Sequence, residues 1–238
     1  LLPAGQVLVV GGYGGSGVYL SSAEIYDPST GTWSDTGHLA RPRSRHTSTL
    51  LPSGQVLVVG GYGGGGVYLS SAEMYDPSTG TWGDTGNLAI PRYSHTSTLL
   101  PSGQVLVVGG RNGDGSLSSA ELYDPSTGTR SYTGRLDIPR YDHTSTLLPW
   151  GGVLVVGGRG QETDGDYINW RSAEIYDPST ETWSYAGYLA TTRARHTSTL
   201  LPSGQVLIVG GVSNGDSQPW SAEMYDPSTG TWNVAGGL

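Results

Sequence analysis

Residues 46–61 read His-Thr-Ser-Thr-Leu-Leu-Pro-Ser-Gly-Gln-Val-Leu-Val-Val-Gly-Gly, and residues 71–82 read Ser-Ala-Glu-Met-Tyr-Asp-Pro-Ser-Thr-Gly-Thr-Trp. Near-copies of this pair fill the chain. The double glycine recurs at Gly11-Gly12, Gly60-Gly61, Gly109-Gly110, Gly157-Gly158 and Gly210-Gly211, with spacings of 49, 49, 48 and 53 residues. A period of that size marks stacked supersecondary units, none of which buries its apolar surface alone. Each unit reads as four strands, a to d. The β-branched run after His46 is strand a, Pro-Ser-Gly-Gln is a turn, and Val56-Leu-Val-Val59 is strand b. Its unbroken apolar character suits a strand covered on both faces. Ser71 to Asp76 is strand c, Pro77 to Gly80 a turn, and Thr81-Trp82 the start of strand d.

Composition agrees. The chain has 238 residues with 39 Gly and 14 Pro, as many short strands joined by tight turns require. A net charge of −8 argues against a nucleic-acid or anionic-membrane binder, since those use a net basic surface. No apolar run approaches the ~18 residues of a membrane-spanning helix. Cys, Lys and Phe are all absent, so thiolate ligands, disulfides and cysteine nucleophiles are excluded.

The double glycine is followed by Tyr and then Trp seven residues later, at Tyr26/Trp33, Tyr75/Trp82, Tyr176/Trp183 and Tyr225/Trp232; the third copy has Tyr123 but Arg130 in place of Trp. On these motifs the whole chain resembles the kelch-repeat family, most closely in wording the kelch arrays of large secreted bacterial proteins. The resemblance implies an all-β propeller, each repeat forming one four-stranded blade around a central channel. It also implies an extracellular or cell-surface location. Leu1 occupies the phase of Leu50 and Leu238 that of Leu39, so the chain holds five sets of strands b to d but four of strand a. Residues 1–238 are expected to form a single domain of five blades, the first lacking most of its inner strand. A closed five-bladed ring and an excerpt of a longer array both fit, since propellers run from ~4 to 8 blades.

Comparison between the copies separates scaffold from site. The a–b and c–d turns are nearly constant and lie on one face of the disc. The b–c and d–a connections lie on the other face and vary, and variable loops on a rigid scaffold usually carry binding. In kelch proteins that face commonly holds the partner, which the resemblance implies here. Seven arginines fall in these connections: Arg41, Arg45, Arg111, Arg135, Arg159, Arg171 and Arg195. So do Tyr13, Tyr19, Tyr62, Tyr68, Tyr93, Tyr141, Tyr167, Trp170 and Trp220. Arginine binds planar anions bidentately, and aromatic rings stack on sugars or anchor peptides. The candidate ligand set is all of these arginines with Tyr62, Tyr68, Tyr93, Tyr141, Tyr167, Trp170 and Trp220, centred on the long fourth loop.

Catalytic readings fare worse. His46, His95, His143 and His196 share one phase, and equivalent atoms of neighbouring blades lie too far apart to ligate one ion. Glu24, Glu73, Glu121, Glu174 and Glu223 also share one phase, and four arginines, Arg43, Arg92, Arg140 and Arg193, recur three residues before the strand-a histidine. A buried Arg–Glu pair in each blade is expected, because an active site needs one asymmetric constellation. Glu162, Asp164 and Asp166 invite a Ca²⁺ test but match no calcium-loop spacing. Trp170 stands where the Glu-x3-Asp-x3-His iron motif of some plant kelch enzymes requires His, and the Cys–Tyr cross-link of galactose-oxidase-type enzymes has no cysteine here. The expectation is a non-catalytic recognition scaffold with no cofactor, no metal, no nucleic acid and no membrane insertion. It would bind a protein segment or glycan, anionic in character. The alternatives are a self-associating structural subunit or array segment of an extracellular layer or filament, and, as a minor one, a channel-mouth metalloenzyme.

Overall fold

In blades 2 to 5 the apolar run becomes the second strand of a four-stranded antiparallel sheet, with Val56–Val59, Val105–Val108 and Val153–Val156 buried along their whole length. The structure, a computed structural model, describes residues 1–161, 166–214 and 221–237. Blade 2 runs from the inside outward as Thr47–Leu50, Val56–Val59, Ala72–Asp76 and Thr81–Thr85. Blade 3 is Thr96–Leu99, Val105–Val108, Ala120–Asp124 and Thr129–Tyr132. Blade 4 is Thr144–Leu147, Val153–Val156, Ser172–Asp177 and Thr182–Tyr188, and blade 5 is Thr197–Leu200, Val206–Val209, Ser221–Asp226 and Thr231–Gly237. Blade 1 has three strands, Val7–Gly15, Val18–Asp27 and Thr32–Thr36, and lacks the inner one. The register is the same in every blade: Tyr75 faces Trp82 as Tyr176 faces Trp183 and Tyr225 faces Trp232.

The constant turns have a local cause. Asp76 Oδ1 accepts hydrogen bonds from the Ser78 amide at 2.8 Å and the Ser78 hydroxyl at 2.6 Å. Gly80, with φ of 68°, then donates back to the Asp76 carbonyl. Asp-Pro-Ser-Thr thus encodes its own turn: the serine amide bond recurs at Asp27, Asp124, Asp177 and Asp226, and the glycine bond at Gly31, Gly128 and Gly230.

Blades are joined by four apolar clusters, one per neighbouring pair. Between blades 3 and 4, for instance, Leu106, Val108 and Leu122 meet Val153, Val155 and Tyr176. The Trp of strand d closes the outer rim, its indole N–H donating to the carbonyl of Gly37, Gly134 or Ala186 in the preceding blade at 2.7–2.8 Å. In blade 3 that bond has no donor; Arg130 lies over Tyr132 instead, 5.7 Å from the ring centre. Near the axis, threonine hydroxyls meet histidine Nε2 of the next blade: Thr47 with His95 at 2.9 Å, Thr96 with His143 at 3.0 Å and Thr144 with His196 at 2.8 Å.

The expected Arg–Glu pairs form in blades 2 to 5: Arg43–Glu73, Arg92–Glu121 at 2.6 Å, Arg140–Glu174 at 2.7 Å and Arg193–Glu223 at 3.0 Å, all buried. Each guanidinium also caps two carbonyls, as Arg92 caps Gly109 and Ser119. Burial pulls these arginines below their ordinary pKa, and the glutamate opposes it, for Arg43, Arg92 and Arg140 alike. The expectation fails in blade 1. Glu24 is exposed, and among the described residues no arginine pairs with it. The double glycine receives the same arginine from the other side. The Gly61 amide donates to the Arg92 carbonyl at 2.8 Å, and a Cβ on Gly60, whose φ is 64°, would sit 2.6 Å from that oxygen.

Among the described residues no apolar cluster joins blade 5 to blade 1. Val7 and Val9 are 36% and 45% exposed on one flank, and on the other Leu207 and Val209 are only half-buried, whereas their counterparts Leu106, Val108, Leu154 and Val156 are fully buried between blades.

Removing one partner of a buried ion pair strands the other charge at a cost of about 3–5 kcal/mol. Glu73→Ala is therefore expected to lower unfolding stability by that amount in urea titrations, whereas Glu24→Ala shifts it by less than about 0.5 kcal/mol. Equal effects would contradict the pairing. The histidines add a pH dependence. Burial, reinforced by the neighbouring arginines, lowers His46 and His196 to about 4 and His95 to about 3, and pushes His143 well down. In the unfolded chain they protonate near pH 6.5, so over the interval below that the unfolded state binds more protons. Stability is expected to be full above about pH 6.5 and to fall progressively toward about pH 4. A urea midpoint unchanged over that range would refute it.

Candidate ligand-binding face

The variable connections are anchored by the same residue pattern that builds the core. In each complete blade the residue after the double glycine forms a β-bridge with the residue after the buried arginine: Tyr62 with Ser44, Arg111 with Tyr93, Arg159 with Tyr141, and Val212 with Ala194. The next residue, just before the strand-a histidine, is held in the left-handed region: Arg45, Ser94, Asp142 and Arg195 have φ of 52–56°. Side chains other than glycine rarely adopt that conformation, and here the backbone enforces it. The Ser94 amide donates to the Arg45 carbonyl, Asp142 to Ser94 and Arg195 to Asp142, at 2.9–3.1 Å. This backbone ladder fixes the loops of adjacent blades to one another.

On this base the tyrosines form a continuous row. Tyr13 and Tyr19 lie 5.3 Å apart, and Tyr19 meets Tyr62 edge-on at the same distance. Tyr62 contacts Tyr68 and Tyr93, and the last two stack at 5.7 Å with 11° between planes. Two rings are pinned by their hydroxyls, Tyr13 accepting from the Gly17 amide and Tyr62 from the Gly66 amide. Together with Ser44, Gly12 and Arg45 the row lines an open cleft of about 520 Å³. Arg45 lies over Tyr93 at 5.7 Å, and Arg111 closes that end, within 4.9–5.8 Å of Tyr93, Tyr141 and Tyr167. Burial works against the Arg111 charge, but the surrounding tyrosines outweigh it and hold its pKa above the ordinary value. Chemically, the cleft offers apolar ring faces with a guanidinium at one end, suited to stacking and to binding a carboxylate or hydroxyl.

The structure gathers part of the anticipated set and separates the rest. Arg45, Tyr62, Tyr68, Tyr93 and Arg111 share the cleft or its rim. Tyr141 is buried as a shelf beneath Arg111, while Tyr167 reaches over from the fourth-blade hairpin, Arg159–Gln161 paired with Tyr167–Asn169. Arg159 is turned to Asn169, and Trp170 packs half-buried against Gly160, whose Cβ would collide with the indole. Arg171 lies on Tyr188 at 4.9 Å, and Arg195 pairs with Asp142 at 2.9 Å. Arg41 belongs to a neighbouring cleft with Tyr68 and Asp84, and Arg135 is exposed. Trp220, Glu162 and Asp164 lie outside the described residues. Tyr13 and Tyr19, absent from the candidate ligand set, line the cleft; their spacing repeats Tyr62 and Tyr68 one period earlier, which is the signal that identifies them. The centre of aromatic density is thus over blades 1 to 3, not the fourth loop, because Tyr-rich hairpins stand side by side there. Trp150, on the opposite face, departs from a turn otherwise occupied by Ser or Ala, and that departure is readable in the repeats.

Comparison with known proteins agrees with the repeat architecture. The Kelch motif family matches residues 3–37, 42–82 and 92–135. An F-box/kelch-repeat protein of Arabidopsis thaliana is 59% identical over 39 residues, 16% of this chain and 10% of that protein, so the likeness spans about a tenth of the relative's length. The solved structure of YjhT superimposes with a TM-score of 0.81 at 14% identity, over 99% of this chain and 82% of that one.

Proposed function

The chain belongs to the kelch-motif family, and from that premise we propose that it is a non-catalytic recognition scaffold binding a protein segment or glycan in the tyrosine cleft of the b–c and d–a face. Kelch propellers serve broadly as protein-binding platforms, which favours a peptide ligand. One observation carries the reading. Five tyrosines from three blades converge on one cleft with Arg45, and the fold does not need them there, since the copies in blades 4 and 5 lack the row. The repeated polar residues, by contrast, are consumed by the scaffold: each buried arginine by a glutamate, and three of the histidines by a threonine. The ligand would run across the row, stacking on Tyr62 and Tyr68, with an anionic or hydroxyl group at Arg45. Exposure to an extracellular or cell-surface partner is consistent with the resemblance to secreted arrays.

The test is a peptide and glycan array probed with the intact chain and with Tyr62→Ala and Arg45→Ala. Central aromatic and arginine contacts carry about 2 kcal/mol or more each, so affinity for any ligand found is expected to fall about 30-fold in either variant. Ligands retained at full affinity by both variants would overturn the cleft assignment.

The uncovered flanks of blades 1 and 5 favour a second reading, a self-associating structural subunit or array segment. Exposed apolar strands at sheet edges recruit further strands. On that reading the native particle mass, measured by light scattering, rises above the chain mass of 24.9 kDa with concentration, and Val9→Lys reduces it. A constant monomer mass would remove this reading.

A further inference from the structure

The opposite face of the disc carries the a–b turns, and one of them differs. Four read Pro3-Ala-Gly-Gln6, Pro52-Ser-Gly-Gln55, Pro101-Ser-Gly-Gln104 and Pro202-Ser-Gly-Gln205, while the fourth reads Pro149-Trp-Gly-Gly152. The two departures are coupled. The Trp150 ring lies over Gly152, where any Cβ would collide with it, so the glutamine of the other copies could not stand beneath this ring. The turn itself is unchanged: Gly151 donates to the Leu148 carbonyl at 2.9 Å, as Gly204 does to Leu201. The indole adds nothing to the turn and remains 53% exposed.

Beside it lies a cavity of about 470 Å³ between the turns of blades 4 and 5, walled by Pro149, Trp150, Gly204, Asp226 and Pro227. Asp226 accepts from the Ser228 amide and hydroxyl on one oxygen and from Gln205 at 3.3 Å on the other. The Ser228 bonds hold its carboxyl below the usual carboxylate range. The same face bears Asp27, Asp76, Asp124 and Asp177, and among the described residues no arginine pairs with any of the five. A negative ring face and an uncompensated carboxylate both attract a cation, and the two prolines offer apolar walls for an aliphatic stem.

We propose that the Trp150–Asp226 cavity is a second binding site, taking an arginine or lysine side chain of a partner peptide, its charge between the indole face and the Asp226 carboxylate. This surface stands independently of the tyrosine cleft on the other face.

The test follows the Trp150 indole N–H resonance of the full chain in heteronuclear NMR. The probes are a capped Gly-Arg-Gly-Arg-Gly peptide, its Glu counterpart and cellobiose. The Arg peptide is expected to move the resonance and the Glu peptide to leave it in place. Trp150→Ser/Gly152→Gln restores the turn of the other copies, so it keeps the fold; saturable shifts of the Ser203–Gln205 amides are then lost. Asp226→Asn keeps an acceptor for Ser228 while removing the charge, and weakens binding by about tenfold. A stationary indole resonance, an equal response to the Glu peptide, or undiminished binding by Asp226→Asn would each overturn the proposal. Movement with cellobiose in place of the Arg peptide would also overturn it and make the cavity a sugar site.

Discussion

One buried arginine per complete blade holds the disc together, because it is bound from two blades at once. The carbonyl of Arg92 accepts from the Gly61 amide of blade 2, while its guanidinium reaches the Gly109 and Ser119 carbonyls and Glu121 of blade 3. A buried ion pair of this kind adds little net stability over an apolar substitute, since desolvation offsets its attraction. It does discriminate strongly between arrangements. A blade docked in another register would leave a buried charge unpaired, and apolar contacts alone, being non-directional, carry no comparable penalty.

That constraint explains the division of labour between the faces. The clamp uses the Gly-Gly end of strand b and the segment before strand a, so both connections leave the scaffold from fixed points. The β-bridges and the left-handed residues Arg45, Ser94, Asp142 and Arg195 extend the rigidity one residue further. Beyond them the loops vary freely, and in blades 1 to 3 they are spent on tyrosines that stack on each other across blade boundaries. The opposite face needs no such support, since Asp-Pro-Ser-Thr closes its own turn. A single departure there, Trp150 with Gly152, stands out for that reason.

The scaffold was legible because repetition compares the chain with itself. The Val-Leu-Val-Val runs, the double glycines and the phase of arginine to glutamate each appear four or five times, and the strands and the clamp follow from them. Glu24 was not legible in this way, since the repeated phase placed it in a buried pair like the other four, whereas in the structure it is exposed. The candidate face was legible as a face, from the alternation of constant and variable connections. Its centre was not. Tyr141 and Trp170 read like Tyr62 and Tyr93 in the sequence, yet one is buried beneath Arg111 and the other packs on Gly160.

The sequence by itself therefore determined the strand order, the turns and the interior of each blade interface, since these depend on local periodicity and on residues repeated at fixed spacing. Only the tertiary structure decided which loop residues meet, and that the flanks of blades 1 and 5 remain uncovered. Both depend on how blades separated by about 49 residues are rotated against one another. That rotation is set by side-chain packing at the interfaces, which a repeat period does not encode.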